Sequence, residues 1–199
     1  MKKRRAAVTR KTNETEIKIS LVIDGSGKRT INTPIGFLNH MLSLFAKHGL
    51  FDLNIKAIGD TNLYNDEHHV VEDIGILLGD AFRKALGDKK GIARFGFFIL
   101  PMDEVIATVV TDLSGRSAFR MRCQFSREKV GDLATEMVHD FWNAFAQNAK
   151  INLQLKIENG KNDHHIIEAI FKSCAKAMRM ACEYDLRNIN NVPSTKGVL

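Results

Sequence analysis

The chain writes His-His-x-x-Glu twice, as DEHHVVEDIGI at residues 66–76 and as NDHHIIEAIFK at residues 162–172. A pattern that returns at a long fixed offset signals a repeated structural unit, and that constrains the fold more than any single motif. The two His-His pairs lie 96 residues apart, while Leu53 and Ile55 match Leu153 and Leu155 at an offset of 100. The difference puts four more residues into the loop before the first pair, and at the offset of 100 His40 falls on Asp140.

Local patterning follows the same repeat. EIKISLVI (16–23) alternates apolar residues at period two, and the turn signal DGSGK followed by RTINT reads as a hairpin. IGFLNHMLSLFAKHG has helical spacing and stops at Gly49, FDLNIKAI alternates again, and the helix opening at HHVVED ends near Gly87 to Gly91. From Arg94 the order of strand, strand, helix, strand, helix recurs, with residues 95–115 and 117–125 as strands, LATEMVHDFWNAFAQNA as helix, INLQLKIENG as strand and HHIIEAIFKSCAKAMRMACEY as helix. The expectation is an α+β fold of tandem duplicated half-domains, about 12–90 and 91–187, with sheets packed against helices and a C-terminal tail. Half of such a repeat cannot bury its sheet alone, so the two halves form one domain.

On a helix, residues four apart lie one above the other, so His68 with Glu72 and His164 with Glu168 share a stripe, while His69 and His165 point about 100° away. Ligands aimed in two directions suit two metals, or a metal between subunits, better than one closed chelate. Imidazole and carboxylate together favour Mn, Fe or Zn. The seven histidines, His40, His48, His68, His69, His139, His164 and His165, fall mostly in or just upstream of the repeated segments. The second stripe continues through Lys172, about 12 Å along the axis from His164, where an ammonium could hold an anion. Arg94, Arg116 and Lys196 stand beside small or turn-forming residues and could clamp a phosphate, with Ser194 and Thr195 donating hydroxyls.

The formal charge of +6 suits a small anionic ligand; aromatics are 8% of the chain and do not interleave with the cations as a nucleic-acid platform requires. The basic N-terminal run KKRR reads as a solvated tail, and the first residues lack the apolar segment of a secretion signal. No apolar run reaches the length of a membrane span. Three cysteines without a C-x-x-C pair read as reduced thiols, which places the chain in the cytoplasm. The residues alone leave open a metal-dependent hydrolase of a small phosphorylated metabolite and a non-catalytic oligomeric metal-binding protein.

TNET, GFLNHML, KHGLFDL, HHVVEDIGI, GDKKGIARFG, PMDE, DLSGR, NDHHIIEAIFK and VPSTKGVL follow one another in the order that resembles the imidazoleglycerol-phosphate dehydratase family, from about Thr12 to Leu199. The resemblance implies a duplicated half-domain of ribosomal-protein-S5-domain-2-like type. It also implies a hydro-lyase of L-histidine biosynthesis that converts D-erythro-imidazole glycerol phosphate to imidazole acetol phosphate and water. Two Mn2+ per active site, with Fe or Zn as alternatives, and sites shared between subunits in a 24-mer are part of the same implication. The implied metal ligands are His40, His68, His69 and Glu72 with His164, His165 and Glu168. Those side chains line the substrate pocket together with Glu14 and His48, while Arg94, Arg116, Lys172, Ser194, Thr195 and Lys196 contact phosphate and glycerol oxygens.

The chain departs from the family pattern at four places. Asn39 replaces the usual acid of LDHML, Val70 replaces the threonine after the first His-His, and the loop before that pair is longer. Asp140 stands where many members carry a histidine, with His139 one residue earlier. Asp140 matches His40 in the repeat and is the expected eighth metal ligand, with His139 as the alternative. The carboxylates able to move protons are Glu14, Glu72 and Glu168; Glu72 and Glu168 are more simply ligands, which leaves Glu14 as the acid or base.

Overall fold

The computed structural model describes residues 3–59 and 66–199. The first half runs β1 (Arg5–Lys11), β2 (Glu16–Val22), β3 (Arg29–Asn32), α1 (Gly36–Gly49), β4 (Asp52–Ile58) and α2 (His68–Leu86). The second runs β5 (Phe95–Met102), β6 (Val105–Asp112), β7 (Ala118–Arg122), a short hairpin of β8 (Lys129–Val130) and β9 (Leu133–Ala134), then α3 (Glu136–Ala149), β10 (Asn152–Glu158) and α4 (Asp163–Cys182). Two four-stranded sheets result, ordered β1-β2-β4-β3 and β5-β6-β10-β7. The duplication read from the sequence is therefore present in the two four-stranded sheets, with the β8–β9 hairpin added in the second half alone.

Three local expectations change. RTINT does not fold back on EIKISLVI; β3 pairs in parallel with β4, placing Ile31 opposite Ile55, while β2 lies between β1 and β4. The cause is Asp52 at the start of β4, whose carboxylate accepts Ser26 N–H at 2.7 Å and Lys28 N–H at 3.0 Å and so draws the turn across the end of β4. The basic N-terminal stretch is not only a tail, since Arg5–Lys11 forms the edge strand β1 and buries Val8. Residues 95–115 divide into β5 and β6 at a turn where Asp103 takes a left-handed φ of 48°.

Helices are exchanged between the halves. α2 covers the first sheet and α4 the second, but α1 packs on α4 and α3 packs on α2. Gly75 and Gly79 allow the second of these contacts, because a Cβ at either would lie 2.6 Å from the Phe141 carbonyl oxygen or 2.5 Å from that of Phe145. One continuous core runs through both halves. Phe45 of α1 meets Trp142 of α3 at 5.9 Å between centroids, and Phe82 of α2 meets Phe145 at 5.6 Å.

Arg4 ties the N-terminus to this body. Its Nε and Nη2 donate to Asp24 at 3.0 and 2.6 Å and its Nη1 to the Cys182 carbonyl at 2.7 Å. Burial would raise the Asp24 carboxyl, but the bonds from Arg4 outweigh it and hold the group below its usual range. A depressed carboxyl stabilises the fold above its unfolded pKa, and that contribution disappears as pH falls through the folded value. Asp24→Asn should cost about 1–3 kcal/mol near pH 7, and in urea titrations the gap from the parent should close as the pH drops below about 4.

Candidate active site

The expected stripe on α4 forms because Asn162 caps the helix, its side-chain oxygen accepting His164 N–H at 3.0 Å, and so fixes where the first turn begins. One turn on, the Glu168 carboxylate is buried. His164 Nε2 lies 3.2 Å from Glu168 Oε2, and His40 Nε2, arriving from α1, lies 3.7 Å from the same oxygen. Lys172 Nζ reaches Glu168 Oε1 at 2.5 Å. Burial raises the Glu168 carboxyl, yet Lys172 and His164 together leave it below its ordinary value. At the far end of α1, burial and the ammonium groups of Lys172 and Lys176 lower His48. Two parallel stripes thus line one seam, His40 and His48 on α1 and His164 to Lys176 on α4.

The neighbouring His165 faces elsewhere, its ring at 84° to that of His164. Its Nδ1 lies 3.0 Å from Glu104 Oε2 and its Nε2 3.5 Å from Asp103 Oδ2. Lys161 and Asn162 N–H groups donate to Glu104 Oε1 at 3.2 and 3.1 Å, fixing the carboxylate against the helix start. The hydrogen bond from His165, with those backbone donors, holds Glu104 down to about 2, and Glu104 in turn raises His165. Sequence reasoning gave Asp103 and Glu104 no role. A signal existed: β2 and β6 repeat at an offset of 90, which places Glu14 on Glu104. Their surroundings agree, since Glu14 Oε2 lies 3.6 Å from His69 Nε2.

The first-half copy of the seam is less convergent. His68 Nε2 is 3.6 Å from Glu72 Oε2, and the His68 and His69 rings stand at 86°. Among the described residues two groups bring three ligand atoms within 4.8 Å of one another, His40 with His164 and Glu168, and Asp103 with Glu104 and His165. Asp140 is in neither; its Oδ1 lies 3.1 Å from His139 Nδ1, and the His139 ring packs edge-on against Phe119. The longer loop before His68 falls on residues 60–65, outside the described residues. Asn39 replaces a carboxylate with a clip, its amide accepting Thr33 N–H at 2.9 Å and donating to the Thr33 carbonyl at 3.0 Å. Val70 is fully buried in the core.

The cations expected at phosphate gather at the other end of α4. Arg94 Nε and Nη2 donate to Asp112 at 2.7 and 3.1 Å, and Nη1 donates to the Pro193 carbonyl at 2.8 Å. Arg94 N–H donates to the Ala181 carbonyl, and the chain end at Leu199 lies against Gly115, beside Arg116. Ser194 Oγ accepts Lys196 N–H at 3.2 Å in a turn that leaves Thr195 and Lys196 exposed. From His164 to Ala181 the helix axis runs about 25 Å. Arg94, Arg116 and the tail are therefore remote from the histidines of their own chain, whereas Lys172 and His48 are beside them.

The His165–Glu104 pair needs an imidazolium and a carboxylate. A raised histidine contributes stability fully below its unfolded pKa and loses it as pH rises through the folded value. The melting-temperature gap between the parent chain and Glu104→Gln should be largest near pH 5 and shrink above pH 7; a gap that is flat across that range would show that the pair is not ionised.

Among the described residues, no helix is long and apolar enough to cross a membrane. The family model for imidazoleglycerol-phosphate dehydratase matches residues 33–178. An imidazoleglycerol-phosphate dehydratase of Clostridium novyi is 54% identical over 190 residues, covering 96% of this chain and 95% of its own length. That of Clostridium botulinum is 50% identical over 199 residues, covering all of both chains. The crystal structure of the Staphylococcus aureus imidazoleglycerol-phosphate dehydratase superposes with a TM-score of 0.82 at 40% identity, over 91% of this chain and 99% of that one. A match of this breadth leaves one assignment: the chain belongs to the imidazoleglycerol-phosphate dehydratase family, hydro-lyases that dehydrate imidazoleglycerol phosphate in histidine biosynthesis.

Proposed function

We propose that the chain carries out this dehydration with two divalent metal ions, manganese foremost, at sites assembled between copies of itself. The donor chemistry fits such ions: two imidazoles and one carboxylate converge at His40, His164 and Glu168, and a third imidazole sits among Asp103 and Glu104. His40, His164, Glu168 and His165 would hold metal from the second half, and His68, His69 and Glu72 from the first, with Asp140 as the first-half counterpart of His40. When bound, the metal would favour the deprotonated form of the substrate's imidazole, the ring that must supply electron density as the hydroxyl leaves with its bonding pair and take it back as the carbon-bound proton is lost.

The protein's own groups do the rest. Lys172, held at the seam by Glu168, presents its ammonium to the substrate's anionic chain, and His48 lies next to it. Glu14 sits on the β1–β2 turn, whose Thr15 hydroxyl donates to the buried Asp73 carboxylate at 2.5 Å. That anchor aims a partly exposed carboxylate toward His69 and leaves it able to move a proton at the substrate's carbon chain.

The observation that carries the reading is the length of α4. A substrate this small cannot reach both the histidines at one end and Arg94, Arg116, Ser194, Thr195 and Lys196 at the other, which supports a tail end supplied by a neighbouring copy. The outer faces of the two sheets support self-association. β5 and β6 expose Phe95 at 58%, Phe97 at 58%, Ile99 at 61% and Val110 at 50%, where β1 and β2 present Arg5, Thr9, Lys18 and Ser20. An apolar face of that extent is an interface signature. An assembly of 24 copies in the cytoplasm is the form we assign, consistent with three free thiols of which Cys174 and Cys182 are buried.

Metal-stripped protein should form the ketone from imidazole glycerol phosphate only when manganese is returned. Product without any metal, or none with manganese, zinc or iron, would overturn the metal assignment. In the same assay Glu14→Gln should lower turnover about 100-fold or more with manganese content unchanged; undiminished turnover would remove Glu14 from proton transfer. Ile99→Glu should release smaller species in light scattering and abolish turnover together, and a fully active small species would refute sites shared between copies.

A further inference from the structure

The first half passes from β3 to α1 in three residues, 33–35, whereas the second passes from β7 to α3 in thirteen, 123–135. That extra length breaks the internal symmetry, and its contacts are specific. It closes on itself through the β8–β9 pairing, with Thr135 Oγ1 donating to the Arg127 carbonyl at 2.7 Å and Thr135 N–H to that of Glu128 at 2.8 Å.

From this closed loop three helix starts are held. Asp132 accepts Gly36 N–H at 2.6 Å and Phe37 N–H at 2.8 Å, capping α1 from 95 residues away while α1's own cap position, Ile35, offers no acceptor. Glu67, buried immediately before His68, accepts Ala134 N–H at 2.8 Å. Asp163, buried immediately before His164, accepts Arg127 N–H at 2.7 Å, Ser126 N–H at 3.0 Å and the Ser126 hydroxyl at 3.1 Å. The acids preceding the two His-His pairs are thus bonded to one stretch of nine residues. Asp132 also acts on the seam itself, because Phe37 packs its ring edge-on against His164 at 5.1 Å and His40 follows one turn later.

We propose that residues 126–134 form a keystone that sets the spacing of both His-His pairs and His40, and that Asp132 is a positioning residue for the His40, His164 and Glu168 group. The proposal rests on those side chains binding metal, as argued above. Loss of the Asp132 cap lets α1 shift against α4 and loosens the ligand group without removing a ligand.

The test compares Asp132→Ala with Glu128→Ala, a change on the same segment whose side chain holds no helix start. Metal-stripped protein is titrated calorimetrically with cobalt, the cobalt visible band is recorded, and kcat and KM are measured with manganese. Asp132→Ala should bind cobalt about 10- to 100-fold more weakly, with an altered band and a kcat at least tenfold lower at nearly unchanged KM. Glu128→Ala should match the parent. Asp132→Asn, which keeps one acceptor oxygen, should recover part of the loss, and Phe37→Leu should reproduce it; these two variants carry the test if Asp132→Ala does not fold. Parental cobalt affinity, band and kcat in the Asp132 variants would overturn the proposal. If the parent binds neither cobalt nor manganese, the metal reading fails by itself, and the kcat loss at constant KM then decides the positioning role.

Discussion

The close approach of helices across the two halves is the contact on which the site depends. Because α1 leans on α4, an imidazole from early in the chain reaches a carboxylate presented more than a hundred residues later. A carboxylate withdrawn from water needs partners, and Glu168 takes Lys172 and His164 from its own helix and His40 from across the contact. The same exchange puts α3 on α2, where Gly75 and Gly79 permit backbone contact. Neither half could make this arrangement alone.

The sequence was most legible where periodicity and chemistry coincide. His164, Glu168 and Lys172 follow helical spacing, and their side chains lie in line as that spacing requires. The repeat matched His40 to Asp140 but did not say that His40 would meet the second His-His helix, which only the packing of α1 on α4 shows. What stayed hidden were choices made by remote groups. Nothing near RTINT says that Asp52 will pull its preceding turn over β4, and nothing near PMDE says that Glu104 will meet a histidine 61 residues away. Both facts follow from sheet registers, which local patterning leaves undetermined.

Duplication has left the two seams unequal. In the second-half seam His40, His164 and Glu168 draw together, while Asp140 pairs with His139. An aspartate is shorter than a histidine, so the position that matches His40 reaches less far from its helix. Asn39 marks a similar trade on the other side, where an amide closes both groups of the Thr33 peptide that an acid could satisfy only by half.

The length of α4 has a genetic corollary. Under the proposed sharing, in which histidines at one end serve with a tail from the next copy, an assembly mixed from two damaged chains, one broken at each end, would still contain pairs of faces that are both intact. Alleles that are inactive alone would complement each other within a single particle, and a lone copy broken at one end would spoil one shared site while leaving the rest working. The unit on which selection acts is then the junction between copies, and the polypeptide is only its repeating half.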